Sequence, residues 1–116
     1  MDEALGKALE FSNFAVTLNT QRRILHEKYT SQLIVYSNGG RFTVTKELIN
    51  FCHLLNSKDI QQTVLIDDNH TPFEILNVQE FLDLALQCYA KASNTYLTAY
   101  KSLIKNRSSV EGFVND

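Results

Sequence analysis

The stretch Gln32-Leu33-Ile34-Val35-Tyr36-Ser37-Asn38-Gly39-Gly40-Arg41-Phe42-Thr43-Val44 reads as strand, turn and strand. Asn-Gly and Gly-Gly supply the positive φ angles that a tight hairpin needs, and β-branched and aromatic residues flank them. Thr45 follows as an N-cap for a helix from Lys46 to about Asn56, whose apolar face is Leu48, Ile49, Cys52 and Leu55. The order then repeats. Thr63-Val64-Leu65-Ile66, the turn Asp67-Asp68-Asn69-His70-Thr71 and Pro72-Phe73-Glu74-Ile75-Leu76 read as a second hairpin. Asn77 and Glu80 then hold the N-cap and N3 positions of another helix. Phe42 and Phe73 occupy matching places just after each turn, and Pro72, with no N–H to donate, belongs at a strand start or edge.

Long helices flank this middle. From Asp2 to about Tyr29 the residues Ala4, Ala8, Phe11, Ala15, Leu18 and Leu25 fall at alternating spacings of four and three, with Arg22 the one interruption. From Val78 to about Asn106 a seven-residue beat sets Leu82, Tyr89, Tyr96 and Leu103 against Ala85, Ala92 and Ala99. Such a large/small alternation lets two helix backbones approach closely and lock in register. A helix of roughly 29 residues is about 43 Å long, against about 35 Å for the diameter of a domain of this size. The last helix should therefore overhang, and its stripe needs the first helix or another copy of the chain to cover it. Acidic Asp2, Glu3 and Glu10 open the first helix and Arg22, Arg23 and Lys28 close it. Glu80 and Asp83 open the last, and Lys101, Lys105 and Arg107 close it. Antiparallel pairing brings opposite charges together at both ends, although the same pattern also complements each helix's own dipole.

The fold expected is α+β: two β-hairpins forming a small antiparallel sheet, one short helix, and two long N- and C-terminal helices packed together. We read a single domain over residues 1–116, with the N-terminal helix in 1–30, hairpin–helix–hairpin in 31–77 and the long C-terminal helix in 78–107. An Sm-like barrel fits less well, because the chain offers four strands where that barrel wants five, and it ends in a long helix.

Composition bounds the function. The 116 residues are 44% apolar and 21% charged, values typical of a folded globular chain and far from those of disordered ones. A formal charge of −2 provides no broad field to attract nucleic acid or an anionic membrane. An acidic start and short apolar runs argue against a secretory signal or membrane-spanning helix, so we expect a protein of the cytosol. Cys52 and Cys88 lack metal-site spacing and sit among apolar residues, as small core thiols do.

No catalytic or cofactor motif stands out, and no cofactor is expected. Asp67, Asp68, Asn69 and His70 could hold a divalent metal, but their spacing matches no calcium or zinc loop, and Asp and Asn are what turns use. His26 and His53 have no nucleophile at hand, and Ser37-Asn38-Gly39-Gly40 lacks the lysine and helix of a phosphate loop. Tyr89, Tyr96 and Tyr100 lie near Lys91, Lys101, Lys105 and Arg107 and could stack on bases. With a slightly negative chain, burial at an interface is the better reading of these rings.

The run Gly39-Gly40-Arg41-Phe42-Thr43-Val44-Thr45-Lys46-Glu47-Leu48-Ile49-Asn50-Phe51, with Leu65-Ile66-Asp67-Asp68-Asn69 and Thr71-Pro72-Phe73-Glu74-Ile75, resembles small uncharacterised proteins of marine contractile-tailed phages. Tyr89, Asn94, Tyr96, Tyr100 and Arg107-Ser108 are similar to the same group, so the resemblance covers about residues 38–114. It implies a virion-associated or assembly protein without an assigned enzyme activity, in the host cytoplasm or the virion, and carries no site residues over.

The function expected is a non-enzymatic oligomeric structural or assembly protein, a homo-oligomer of two or more copies that other virion or assembly proteins could join. The interface candidates are Phe11, Leu18, Leu82, Tyr89, Ala92, Tyr96, Ala99, Tyr100 and Leu103. The alternatives are a single-stranded nucleic-acid-binding module using the last helix and, third, a small metal-dependent enzyme centred on the Asp67–His70 turn. Neither a membrane nor nucleic acid is an expected partner.

Overall fold

Asn38 and Gly39 turn as their identities require: φ is 51° at Asn38 and 88° at Gly39, so both central residues of the two-residue turn are left-handed, as a type I′ hairpin demands. The turn joins β1 (Ile34–Ser37) to β2 (Gly40–Thr43), antiparallel, with Ser37 opposite Gly40 and Val35 opposite Phe42. Val44 N–H donates to the Leu33 carbonyl at 2.8 Å, which carries the ladder one pair further. The hydrogen-bonded pairs are therefore Leu33/Val44, Val35/Phe42 and Ser37/Gly40, and the backbone groups of Ile34, Tyr36, Arg41 and Thr43 point away from the partner strand. Side chains alternate as expected. Leu33, Val35, Phe42 and Val44 are buried, whereas Tyr36 is 70% exposed.

The structure, a computed structural model, describes residues 2–115; the side chains of residues 2, 11, 14 and 107–115 lie outside the description. The elements run α1 (Asp2–Gln32), β1, β2, α2 (Lys46–Ser57), β3 (Thr63–Ile66), β4 (Pro72–Ile75) and α3 (Val78–Asn115). This is the α+β architecture read from the sequence. Thr45 caps α2, its side chain accepting from Leu48 N–H at 3.1 Å. Asn77 caps α3, its Oδ1 accepting from Glu80 N–H at 3.1 Å. At the far end of α2, Ile60 N–H reaches Leu55 C=O and Asp59 N–H reaches Asn56 C=O, with Asp59 left-handed at φ 57°. That is a Schellman ending with aspartate where glycine is usual.

Two boundaries differ from the sequence reading. α1 continues to Gln32, and α3 runs to Asn115 rather than ending near Asn106, since the asparagine and serines there lower helix propensity without stopping a helix and no proline follows. The hairpins also form two separate two-stranded sheets, where the sequence suggested a single small sheet.

Contacts divide the chain into two compact units. The first, Ser31–Ser93, holds both hairpins, α2 and the opening of α3. Phe42 is its centre, edge-on to Phe73 at 6.3 Å and to Phe81 at 5.3 Å between ring centroids. Cys52, Val78, Leu82, Ala85 and Ala92 are buried in the same unit, and burial pushes the Cys52 thiol up from its ordinary pKa. The glycine at position 40 is a packing requirement: a Cβ there would stand 2.8 Å from the rings of both Phe42 and Phe73.

The second unit is the rest of the two long helices, up to Thr30 of α1 and from Asn94 of α3. Arg22 faces Tyr100, and Tyr29 and His26 face Tyr96, so rising numbers in α1 meet falling numbers in α3. The pair is antiparallel, the order the charges favour, and it forms within one chain.

Candidate functional site

The turn between β3 and β4 is where the sequence concentrates its polar chemistry, and its geometry is that of a fastening. Asp67 Oδ1 accepts the N–H groups of Asn69 at 3.0 Å and Thr71 at 2.9 Å, which fixes the turn and leaves His70 left-handed at φ 62°. Asp67 Oδ2 accepts Arg41 N–H at 3.2 Å, and Asp68 Oδ1 accepts Thr43 N–H at 3.1 Å. Asp68 N–H donates to Arg41 C=O at 2.8 Å, and Thr43 Oγ1 donates to Asp68 Oδ2 at 2.7 Å. These are the outward-pointing groups of β2. The turn therefore closes the free edge of β2 with carboxylates in place of a third strand's carbonyls. Thr71 N–H above all, helped by the N–H groups of Arg41 and Asn69 and the nearby His70, holds the Asp67 carboxyl below its ordinary pKa against the opposing effect of burial. Asn38 Nδ2 adds a bond to Glu74 C=O at 2.6 Å, tying the first turn to β4.

This arrangement accounts for Asp67 and Asp68 without a metal. Among the described residues no three His, Cys, Asp or Glu side chains come together as metal ligands. His53 is exposed on α2, and His26 packs its ring 6.1 Å from Tyr96 and 6.2 Å from Tyr29.

The interface candidates of the sequence reading turn inward. Leu82 and Ala92 are buried in the Ser31–Ser93 unit and Tyr89 is half-buried there. Leu18 is buried, and Tyr96, Ala99, Tyr100 and Leu103 are half-buried, in the α1–α3 pair. The Phe11 side chain lies outside the described residues. Tyr96 packs against Tyr29 with ring centroids 4.8 Å apart and planes tilted by 42°, and the Arg22 guanidinium lies 5.8 Å above the Tyr100 ring, with Nη2 donating to the hydroxyl at 3.4 Å. Arg22, the break in the apolar register of the first helix, thus belongs to the packed face.

The surface that sequence reasoning missed is on the other side of α1. Leu5, Leu9, Val16 and Ile24 are 62%, 56%, 62% and 51% exposed. At about 100° per residue they fall within an arc of about 100°, opposite the inward residues Ala15, Leu18, Arg22, Leu25 and Tyr29. α1 is therefore apolar on two sides. The spacing of four, seven and eight between these residues is the signal that could have found the second stripe. Among the described residues no helix is long and apolar enough to cross a membrane. No family model, curated protein or solved structure matches this chain.

Proposed function

We propose that this protein is a non-enzymatic structural or assembly protein that self-associates through the outer face of α1. The observation that carries the reading is the exposed stripe of Leu5, Leu9, Val16 and Ile24 on a helix whose opposite face is packed from Ala15 to Tyr29. Covering one large aliphatic side chain contributes about 1.5–3 kcal/mol, while association costs on the order of 4–15 kcal/mol. One stripe on an inert surface is marginal. A two-fold pair counts the stripe twice and is the simplest arrangement that clears the cost.

Charge favours the same arrangement. Antiparallel packing of α1 on a second α1, with Leu9 of one copy beside Val16 of the other, sets Glu3 about level with Arg23 at each end. The resemblance of residues 38–114 to phage proteins suggests a virion or its assembly as the setting. Light scattering across a concentration series tests the reading. A dimer or larger species is expected, and Leu9→Glu with Val16→Glu should return it to 13.3 kDa with helix content unchanged. A wild-type chain that stays at 13.3 kDa at millimolar concentration overturns it.

A further inference from the structure

α2 carries apolar residues on two sides, and only one side is covered. Cys52 is buried within the Ser31–Ser93 unit with Ile49 and Leu55 half-buried on the same side, whereas Phe51 and Leu54 are 44% and 51% exposed. At about 100° per residue Glu47, Phe51, Leu54 and Lys58, the last at the C-cap, fall within an arc of about 60°, roughly 130° round the helix from Cys52. All four are exposed, and neither Glu47 nor Lys58 is ion-paired among the described residues. Their order is a palindrome. Glu47 precedes Phe51 by four positions, Phe51 precedes Leu54 by three, and Leu54 precedes Lys58 by four.

We propose that α2 pairs antiparallel with α2 of a second copy through this stripe, with Phe51 of each copy against Leu54 of the other and Glu47 against Lys58. The palindrome selects this partner. A two-fold axis crossing the middle of the stripe matches apolar to apolar and acid to base at both ends in one register. A parallel pair would set Glu47 beside Glu47 and Lys58 beside Lys58. An unrelated helix would need the complementary residue types in the same order, which a second copy carries by identity. The contact offers two large apolar side chains per copy against four on the α1 stripe, so it forms at a higher concentration than the α1 pair. Where both contacts form, copies join beyond a dimer. That extension rests on the α1 pairing, and the α2 contact itself does not.

The test uses the full chain carrying Leu9→Glu and Val16→Glu, which silences the α1 stripe and leaves a 13.3 kDa species at micromolar concentration. Sedimentation of this parent at millimolar concentration and low salt should show a dimer. A zero-length carbodiimide applied to mixed light and heavy isotope-labelled chains should join Glu47 of one to Lys58 of the other. Within one α2 the two stand about 16 Å apart along the axis, out of reach of a direct amide bond. Phe51→Glu with Leu54→Glu should abolish the dimer with helix content unchanged, because both positions are exposed. If that variant fails to fold, the charge exchange tests the same contact. Glu47→Lys and Lys58→Glu should each weaken the dimer about fivefold or more, and the two together should restore it to within about twofold of the parent. Restoration isolates the contact, since for each helix's own dipole the double exchange is the worst of the three. The proposal is overturned if the parent stays at 13.3 kDa at millimolar concentration, which leaves the face to a different protein. It is equally overturned if no Glu47–Lys58 link joins light to heavy chains, if the folded Phe51→Glu, Leu54→Glu chain still pairs, or if the double exchange associates no better than the single ones. The α1 pairing fails on a separate result, when Leu9→Glu with Val16→Glu leaves the mass of the wild-type species unchanged.

Discussion

The two edges of the first hairpin have the same backbone chemistry and opposite fates. Along β2 the outward groups of Arg41 and Thr43 are met by Asp67 and Asp68 from a turn on the other hairpin. Along β1 the outward groups of Ile34 and Tyr36 line a hollow beside α3, and the Ile34 carbonyl accepts from the Cys88 thiol at 3.8 Å. Neither β1 nor β2 makes this difference by itself. Where the second hairpin docks makes it, so edge protection here belongs to tertiary structure.

Breaking the closed side should have the largest effect. Gly40→Ala places a methyl against Phe42 and Phe73, where the two hairpins meet, and should destabilise the chain by about 1–3 kcal/mol in urea unfolding. A loss under about 0.5 kcal/mol would mean that the rings are not held there. Asp68→Ala removes the two bonds to Thr43 and should cost about 1 kcal/mol, with faster amide exchange at Thr43 as the local signature.

Acid probes the same fastening through Asp67. Because its folded pKa lies below the unfolded value of about 4, its contribution is present above that pH and disappears as pH falls through the folded value. The urea midpoint should therefore drop on acidification below about pH 4, and Asp67→Asn should flatten that dependence. On the open side Tyr36→Lys should change stability by less than about 0.5 kcal/mol, because the ring supports nothing in the fold. A larger loss would show that the β1 edge is structural after all.

Much of the fold was legible because its signals are local. Asn38-Gly39 needs only its own φ angles, Thr45 and Asn77 bond to N–H groups three residues on, and the stripe from Leu82 to Leu103 follows helix period alone. The Asp67–His70 turn was legible as a turn, since Asp67 bonds to Asn69 and Thr71 nearby. Its second role was not, because Arg41 and Thr43 are distant in sequence and nothing in an aspartate marks the far strand it will reach. Arg22 was misplaced for a related reason. A charge reads as a break in an apolar register until a ring such as Tyr100 is found to face it.

The sequence by itself determined the order of elements, their caps, the two turns and the inward stripe of α3, since each rests on backbone preference or periodicity within a few residues. Tertiary structure alone decided that the hairpins form two sheets joined by carboxylates and that α3 from Asn94 onward packs in cis on α1. It also left the apolar residues on the far side of α1 uncovered. Periodicity says which residues share a face, and only packing says whether that face has a neighbour.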